Sequence, residues 1–133
     1  KMLAEGAGAA ALAATLEGKF DVREGECIVP LVCGGNIDPN VLTTVLMRGL
    51  IRSGRYLRIR TVLKDRPGTL LELTDVIASN RANIYAIQHD RTARDIGMGS
   101  AEVELDLETR GHDHVDALIE ALEDRGDPVE VLV

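Results

Sequence analysis

The chain has 133 residues, 45 % of them hydrophobic and 28 % charged, with a formal net charge of −7. An acidic balance excludes a nucleic-acid backbone as partner, because phosphate binding needs a basic face, and an aromatic content of 2 % removes base-stacking platforms too. No apolar run reaches the ~18 residues of a membrane span, and the Ala-rich start lacks the ordered regions of a signal peptide, so the expectation is a cytoplasmic protein.

In chain order, Ala4–Glu17 reads as a helix rich in alanine. Gly6 and Gly8 in its first turn suggest the close approach of another backbone or a ligand, and Gly18 is its stop. The faces of this helix are small and apolar, which predicts burial against something large. Cys27–Cys33, CIVPLVC, is a short apolar run between Gly25 and Gly34-Gly35-Asn36, and fits a buried parallel strand, with Pro30 against it. Its two cysteines lie ~20 Å apart on one strand face and cannot bridge, so each reads as a small buried hydrophobe. Asp38-Pro39 then opens a helix as N-cap and first residue; it runs to Ser53-Gly54. Helix, strand, helix is the closing unit of an α/β domain rather than a domain.

From Tyr56 the pattern changes. Leu57, Ile59, Thr61 and Leu63 alternate with Arg58, Arg60, Val62 and Lys64, as in a strand with one polar face. Asp65-Arg66-Pro67-Gly68 is turn chemistry. Leu70, Leu73, Val76 and Ile77 mark a helix, and Asn80–Asn83 turns into a strand over Ile84–Arg91. Arg94–Gly99 is a hairpin connection. Ala101–Glu108 alternates apolar and acidic residues. A helix over Asp113–Arg125 ends at Gly126-Asp127-Pro128, and Val129, Val131 and Val133 form a last strand. The order βαββαβ predicts an α+β, ferredoxin-like sandwich over 56–133, with residues 1–55 the tail of a different domain. A single four-stranded sheet leaves one face and two edges open, which predicts a homodimer.

With D-R-P-G at the first strand–helix turn and A-N-I (Ala82–Ile84) opening the second strand, this order resembles the ACT domain, a regulatory module that binds small amino acids. Upstream, AEGAGAAALAA (Ala4–Ala14), C-G-G-N-I-D (Cys33–Asp38) and R-G-L-x-x-x-G-R (Arg48–Arg55) look like the end of the catalytic domain of threonine ammonia-lyases, pyridoxal-phosphate enzymes of the tryptophan-synthase-β fold type; H-D-R (His89–Arg91) extends the resemblance. It implies a C-terminal fragment of an enzyme that converts L-threonine to 2-oxobutanoate and ammonia, in isoleucine biosynthesis or in threonine catabolism. It also implies that Cys33 faces the pyridine nitrogen, that Gly34, Gly35 and Asn36 let the backbone pass the ring, and that Glu5 lines the same pocket. A buried strand-end thiol and an ordinary helix-start acid are the plain alternatives for Cys33 and Glu5. The Schiff-base lysine and the phosphate loop of that family have no counterpart: the lysines are Lys1, Lys19 and Lys64, none in the required context. The chain alone is therefore expected neither to catalyse nor to hold the cofactor productively.

In the second part the resemblance implies an effector site, with isoleucine or valine as ligand, where the first strand–helix turn meets a neighbouring subunit. Its residues are Asp65, Pro67, Gly68, Thr69, Leu70, Asn83 and Ile84. The helix start after Gly68 offers N–H groups to a carboxylate, Asp65 meets an ammonium group, Asn83 donates and accepts, and Leu70 and Ile84 form an apolar wall. Read without the resemblance, the turn is only a turn and Asn83 a strand start. His112 and His114 read as solvated helix-start residues, with Asp113 as cap, rather than metal ligands. Two other readings remain: a stand-alone ACT module that senses amino acids or dimerises without catalysis, and a fragment of a serine dehydratase-like enzyme.

Overall fold

Alternation along Tyr56–Lys64 (β1) becomes the centre of a sheet in a computed structural model that describes residues 2–94 and 96–133. Lys1, and Asp95 within the predicted hairpin connection, lie outside the described residues. The chain forms two compact units, residues 1–45 and 46–133.

The second unit holds the sandwich. Its elements are β1, Thr69–Ser79 (α3), Asn83–Asp90 (β2), Ser100–Glu108 (β3), His112–Asp124 (α4) and Val129–Val131 (β4), preceded in the chain by Gly6–Leu16 (α1) and Pro39–Arg52 (α2). The sheet order is β2-β3-β1-β4 and every neighbouring pair is antiparallel. Two crossovers through α3 and α4, each skipping one strand, produce the ferredoxin-like arrangement expected from the sequence.

Register explains why the alternation works. Directly opposed residues of an antiparallel pair share a face. Leu57, Ile59, Thr61 and Leu63 oppose Leu107, Leu105, Val103 and Ala101. Leu73 and Ile77 of α3 and Leu118 and Leu122 of α4 close over them to form the core. The opposite face sets Arg58 against Asp106 and Arg60 against both Glu104 and Glu130. Arg58 donates Nη2–H to Asp106 Oδ2 at 2.8 Å and pairs with Oδ1 through Nε, while Arg60 reaches Glu104 at 2.7 Å and Glu130 at 3.2 Å. The hydrogen-bonded Arg58 guanidinium holds the Asp106 carboxyl below the usual carboxylate range against the opposing effect of burial.

The four helices among the described residues end in the same way. The residue after the cap turns left-handed, at Gly18, Gly54, Arg81 and Gly126, and paired bonds run back to the last turn; for α1 these are Gly18 N–H to Thr15 O and Lys19 N–H to Ala14 O. Arg81, at φ 59°, takes a conformation that glycine adopts without strain. At the start of α2, Asp38 Oδ1 accepts from Asn40 N–H at 2.8 Å and from Val41 N–H at 3.3 Å, as the Asp-Pro pair predicts.

The first unit departs from expectation at its middle element. Cys27–Cys33 is not a strand, and both thiols are exposed rather than buried. An apolar run becomes a strand only when a neighbour completes its ladder, and among the described residues none lies alongside it. Helix α1 likewise buries only Gly8 and leaves its apolar faces open. The helix–strand–helix reading is corrected to two helices joined by an irregular segment.

Candidate functional site

A cleft of about 450 Å³ opens where β1 runs into α3, a volume within the range of small-molecule sites. Leu63, Lys64, Asp65, Arg66, Pro67, Gly68, Thr69 and Leu70 supply one side, and His89 and Arg91 at the end of β2 the other. Gly68, at φ 96°, is the N-cap residue, and α3 starts without a side-chain cap, so part of its first turn keeps unclaimed N–H groups beside the cleft. Thr69 is buried there, its Oγ1 accepting from Arg66 Nε–H at 3.4 Å.

A β-bulge brings His89 and Arg91 to this side. Strict alternation from Ile84 would carry that face through Ala86, Gln88 and Asp90. The register instead shifts between Ile84 and Ala86, so that Ile87 opposes Leu105 and His89 opposes Val103, both core residues. Asp90 then fixes the exit from the strand: its Oδ1 accepts from Thr92 N–H at 2.6 Å and Thr92 Oγ1–H at 2.8 Å, which also lowers its pKa.

The charge of the cleft opposes that of the chain. Its lining carries three cationic side chains, Lys64, Arg66 and Arg91, and one carboxylate, Asp65, within a protein of net charge −7. Asp65 is itself engaged, its Oδ1 lying 3.1 Å from Arg91 Nη2. Cationic side chains and an uncapped helix start together suit a small carboxylate.

In the first unit two backbone hydrogen bonds join the start of α1 to the Cys33-Gly34 segment. Glu5 N–H donates to Gly34 O at 2.9 Å, and Cys33 N–H donates to Gly8 O at 3.3 Å. A Cβ on Gly8 would stand 1.4 Å from the backbone Cys33 O, so that position excludes a side chain, while Gly34 is disfavoured for one by its left-handed φ of 74°. Gly8 is thus the site of close backbone approach predicted for the first turn, whereas a Cβ on Gly6 would meet nothing. An exposed thiol, a carboxylate and bare backbone fit one edge of a pyridine ring. Cys33 could face the ring nitrogen, with Glu5 and Gly34 beside it and Gly35 and Asn36 continuing the backbone.

Residues 55–126 match the ACT domain family. The chain belongs to that family. It is also 42 % identical over 132 residues to an L-threonine ammonia-lyase of Geobacter sulfurreducens, covering 99 % of this chain and 33 % of that protein. It is 39 % identical over 132 residues to an L-threonine ammonia-lyase of Thermotoga maritima, covering 99 % of this chain and 32 % of that one. The chain thus spans about a third of the length of these curated relatives. Among solved structures, prephenate dehydratase from Streptococcus mutans aligns with a TM-score of 0.49 and 18 % identity over 58 % of this chain and 40 % of that chain.

Within the ACT domain the predicted effector residues divide. Asp65, Pro67, Gly68, Thr69 and Leu70 line the cleft, whereas Asn83 and Ile84 line a separate hollow of about 410 Å³ with Leu71, Thr74 and Ala82. Asn83 Nδ2–H is already donated to Glu108 Oε2 at 2.9 Å. Asp65 is not the free acceptor that its turn position suggested, because Arg91 holds it. His89 and Arg91 line the cleft although the sequence, through the H-D-R motif, points only to a structural role at the sheet end or a dimer contact; the bulge that aims them leaves no sequence signal.

The two helix-start histidines are engaged rather than merely solvated. His114, half-buried, accepts on Nδ1 from Arg110 N–H at 3.1 Å, and its Nε2 lies 2.7 Å from Asn80 O. Acceptance at Nδ1 makes Nε2 the protonated nitrogen and the donor to the end of α3. His112 Nε2 lies 3.1 Å from Arg52 O at the end of α2. The N-cap of α4 is Gly111, and Asp113 makes no capping bond. Among the described residues no three His, Cys, Asp or Glu side chains converge as a metal site, and no helix is long and apolar enough to cross a membrane.

Proposed function

We propose that this chain is the regulatory end, with the last edge of the catalytic domain, of a threonine ammonia-lyase that deaminates L-threonine to 2-oxobutanoate and ammonia. The observation that carries this is the 42 % and 39 % identity extending over 132 residues, through the first unit as well as the ACT domain. A match to the ACT domain alone would support only an amino-acid-sensing module.

Pyridoxal phosphate, when bound, would supply the electron sink for loss of the α-proton and of the β-hydroxyl. This chain contributes Cys33 toward the ring nitrogen, Glu5 toward the same wall, and the backbone of Gly34, Gly35 and Asn36 past the ring. Its lysines do not serve as the Schiff base; that group belongs to another part of the protein. In the ACT domain the cleft beside Gly68 takes an amino-acid effector, isoleucine or valine, with its carboxylate toward the start of α3 and its side chain against Leu70. Asn83 and Ile84 reach that effector from a second copy, in a homodimer formed through the ACT domain. Regulation follows if the effector binds one state of the enzyme more tightly than the other.

A longer protein carrying this chain, supplied with the cofactor, should release 2-oxobutanoate from L-threonine. Release of pyruvate from L-serine alone would instead favour the serine dehydratase reading, and turnover of neither would reject the assignment. Calorimetry on the present chain with L-isoleucine, L-valine, L-threonine and L-serine tests the effector site. Heat with at least one is the expected result; no heat with any, in a confirmed dimer, rejects it.

A further inference from the structure

We propose that an amino-acid zwitterion enters the ACT cleft by parting the Asp65–Arg91 ion pair, its ammonium taking over Asp65 and its carboxylate taking over Arg91. This rests on reading the cleft as the effector site and adds to it how the ligand is recognised and what it displaces.

The pair spans 3.1 Å, and both of its members line the same cleft. They differ in freedom. The Asp65 side chain is 28 % exposed, and its backbone is tied down by Asp65 N–H donating to Gly99 O at 2.8 Å. The Arg91 side chain is 67 % exposed, and among the described residues its guanidinium has no other ion-pair partner. Exposed pairs of this kind are weak, so the guanidinium can swing out while the carboxylate stays in place. A zwitterion then replaces one pair by two and leaves the charge balance of the cleft unchanged. A carboxylate without an ammonium would take Arg91 and strand Asp65, and an amine without a carboxylate would strand Arg91. The cleft therefore carries an internal competitor for each single-charge ligand, and only a molecule with both charges satisfies both partners. Lys64, Arg66 and the start of α3 reinforce the carboxylate end, while Leu63 and Leu70 receive an apolar side chain.

Calorimetry on the chain tests this with the tightest binder among L-isoleucine, L-valine, L-threonine and L-serine and with its deaminated and decarboxylated counterparts. For isoleucine these are 3-methylpentanoate and 2-methylbutylamine. Both counterparts should bind at least tenfold more weakly than the amino acid, a comparison that needs no variant. Asp65→Asn should weaken the amino acid at least tenfold yet strengthen the carboxylate several-fold, because Arg91 is released. Arg91→Gln should weaken the amino acid similarly and strengthen the amine. Circular dichroism on each variant verifies its fold. Amino-acid affinity within twofold of wild type in both variants would overturn the exchange while leaving the effector site intact. Loss of the amino acid in both variants with no gain for either counterpart would also overturn it, because Asp65 and Arg91 would then not be competing with the ligand for each other. No heat with any of the four amino acids would overturn the effector reading itself and this inference with it.

Discussion

Replacing Thr61 by valine should make the ACT domain more stable. Thr61 sits at the centre of β1 on the helix-facing side, 2 % exposed, with Val103 and Val129 opposite it on the two flanking strands. Its Oγ1 has no hydrogen-bond partner among the described residues. A buried hydroxyl left without a partner costs roughly 1–3 kcal/mol. Valine keeps the β-branched shape and puts a methyl group where the hydroxyl was, so the desolvation cost disappears while the packing is retained. The expected gain is about 1 kcal/mol, a rise in Tm of about 4–8 °C for a domain of this size. Urea and thermal unfolding followed by circular dichroism measure it. Thr61→Ser separates the two contributions: it keeps the hydroxyl, loses the methyl and should destabilise by about 1 kcal/mol. A valine variant no more stable than wild type would refute the reasoning, since the hydroxyl would then have a partner in solution.

Other changes test other parts of the argument. Arg81→Gly should stabilise by about 0.5–1 kcal/mol in the same unfolding assay, because the left-handed turn after α3 is strained for arginine and free for glycine. Asp106→Asn should cost about 1 kcal/mol at pH 7, a modest figure because its partner Arg58 is 43 % exposed. The sign of its pH dependence follows from the lowered pKa of Asp106: the stability it adds is present above the ordinary value of 3.8 and is lost as pH falls through the lower folded value. The gap between wild type and variant should therefore stay open down to about pH 4 and close only as pH falls below that through the lower folded value; a gap that closes at or above the ordinary carboxylate range would contradict the charge-assisted pair. Gly8→Ala should disrupt the Gly8–Cys33 approach, seen as faster exchange of the Cys33 amide with unchanged exchange in residues 56–133. Gly6→Ala should leave that exchange unaltered, because its added methyl would meet no neighbour.

The sandwich was legible because β1 and β3 each bury one face and α3 and α4 each bury one stripe, so hydrophobic period separates these elements. The alternation of Leu57 through Lys64 needs no distant information beyond a partner of matching alternation, and Ala101–Glu108 provides one within the same chain. The Cys27–Cys33 run was misread for the complementary reason. Its composition suits a buried strand, but a strand is a relation between two segments, and its apolar residues carry no record of a neighbour. The bulge at Tyr85 was hidden for another reason. Nothing in Asn83-Ile84-Tyr85-Ala86 marks an extra residue, and the shift appears only when Ile84 and Ile87 must both meet the leucines of β3. One unpaired residue then reverses the face on which His89 and Arg91 lie.

The same geometry constrains how the predicted effector residues could serve one ligand. The Asp65–Gly68 turn precedes α3 and Asn83 follows it, and 11 helical residues extend ~16 Å. An amino acid is far shorter than that, so within one chain it cannot touch both ends of the helix. If Asn83 and the turn contact the same ligand, they must come from different copies. The ligand would then be part of the contact between those copies, and its affinity would depend on their association. Dilution should therefore weaken binding if Asn83 contributes, and leave it unchanged if the cleft of one chain is sufficient. Asn83→Ala separates the two cases. A weakened effector affinity that disappears as a difference on dilution to the monomer assigns Asn83 to the second copy, whereas no effect at any concentration confines the site to the turn, His89 and Arg91.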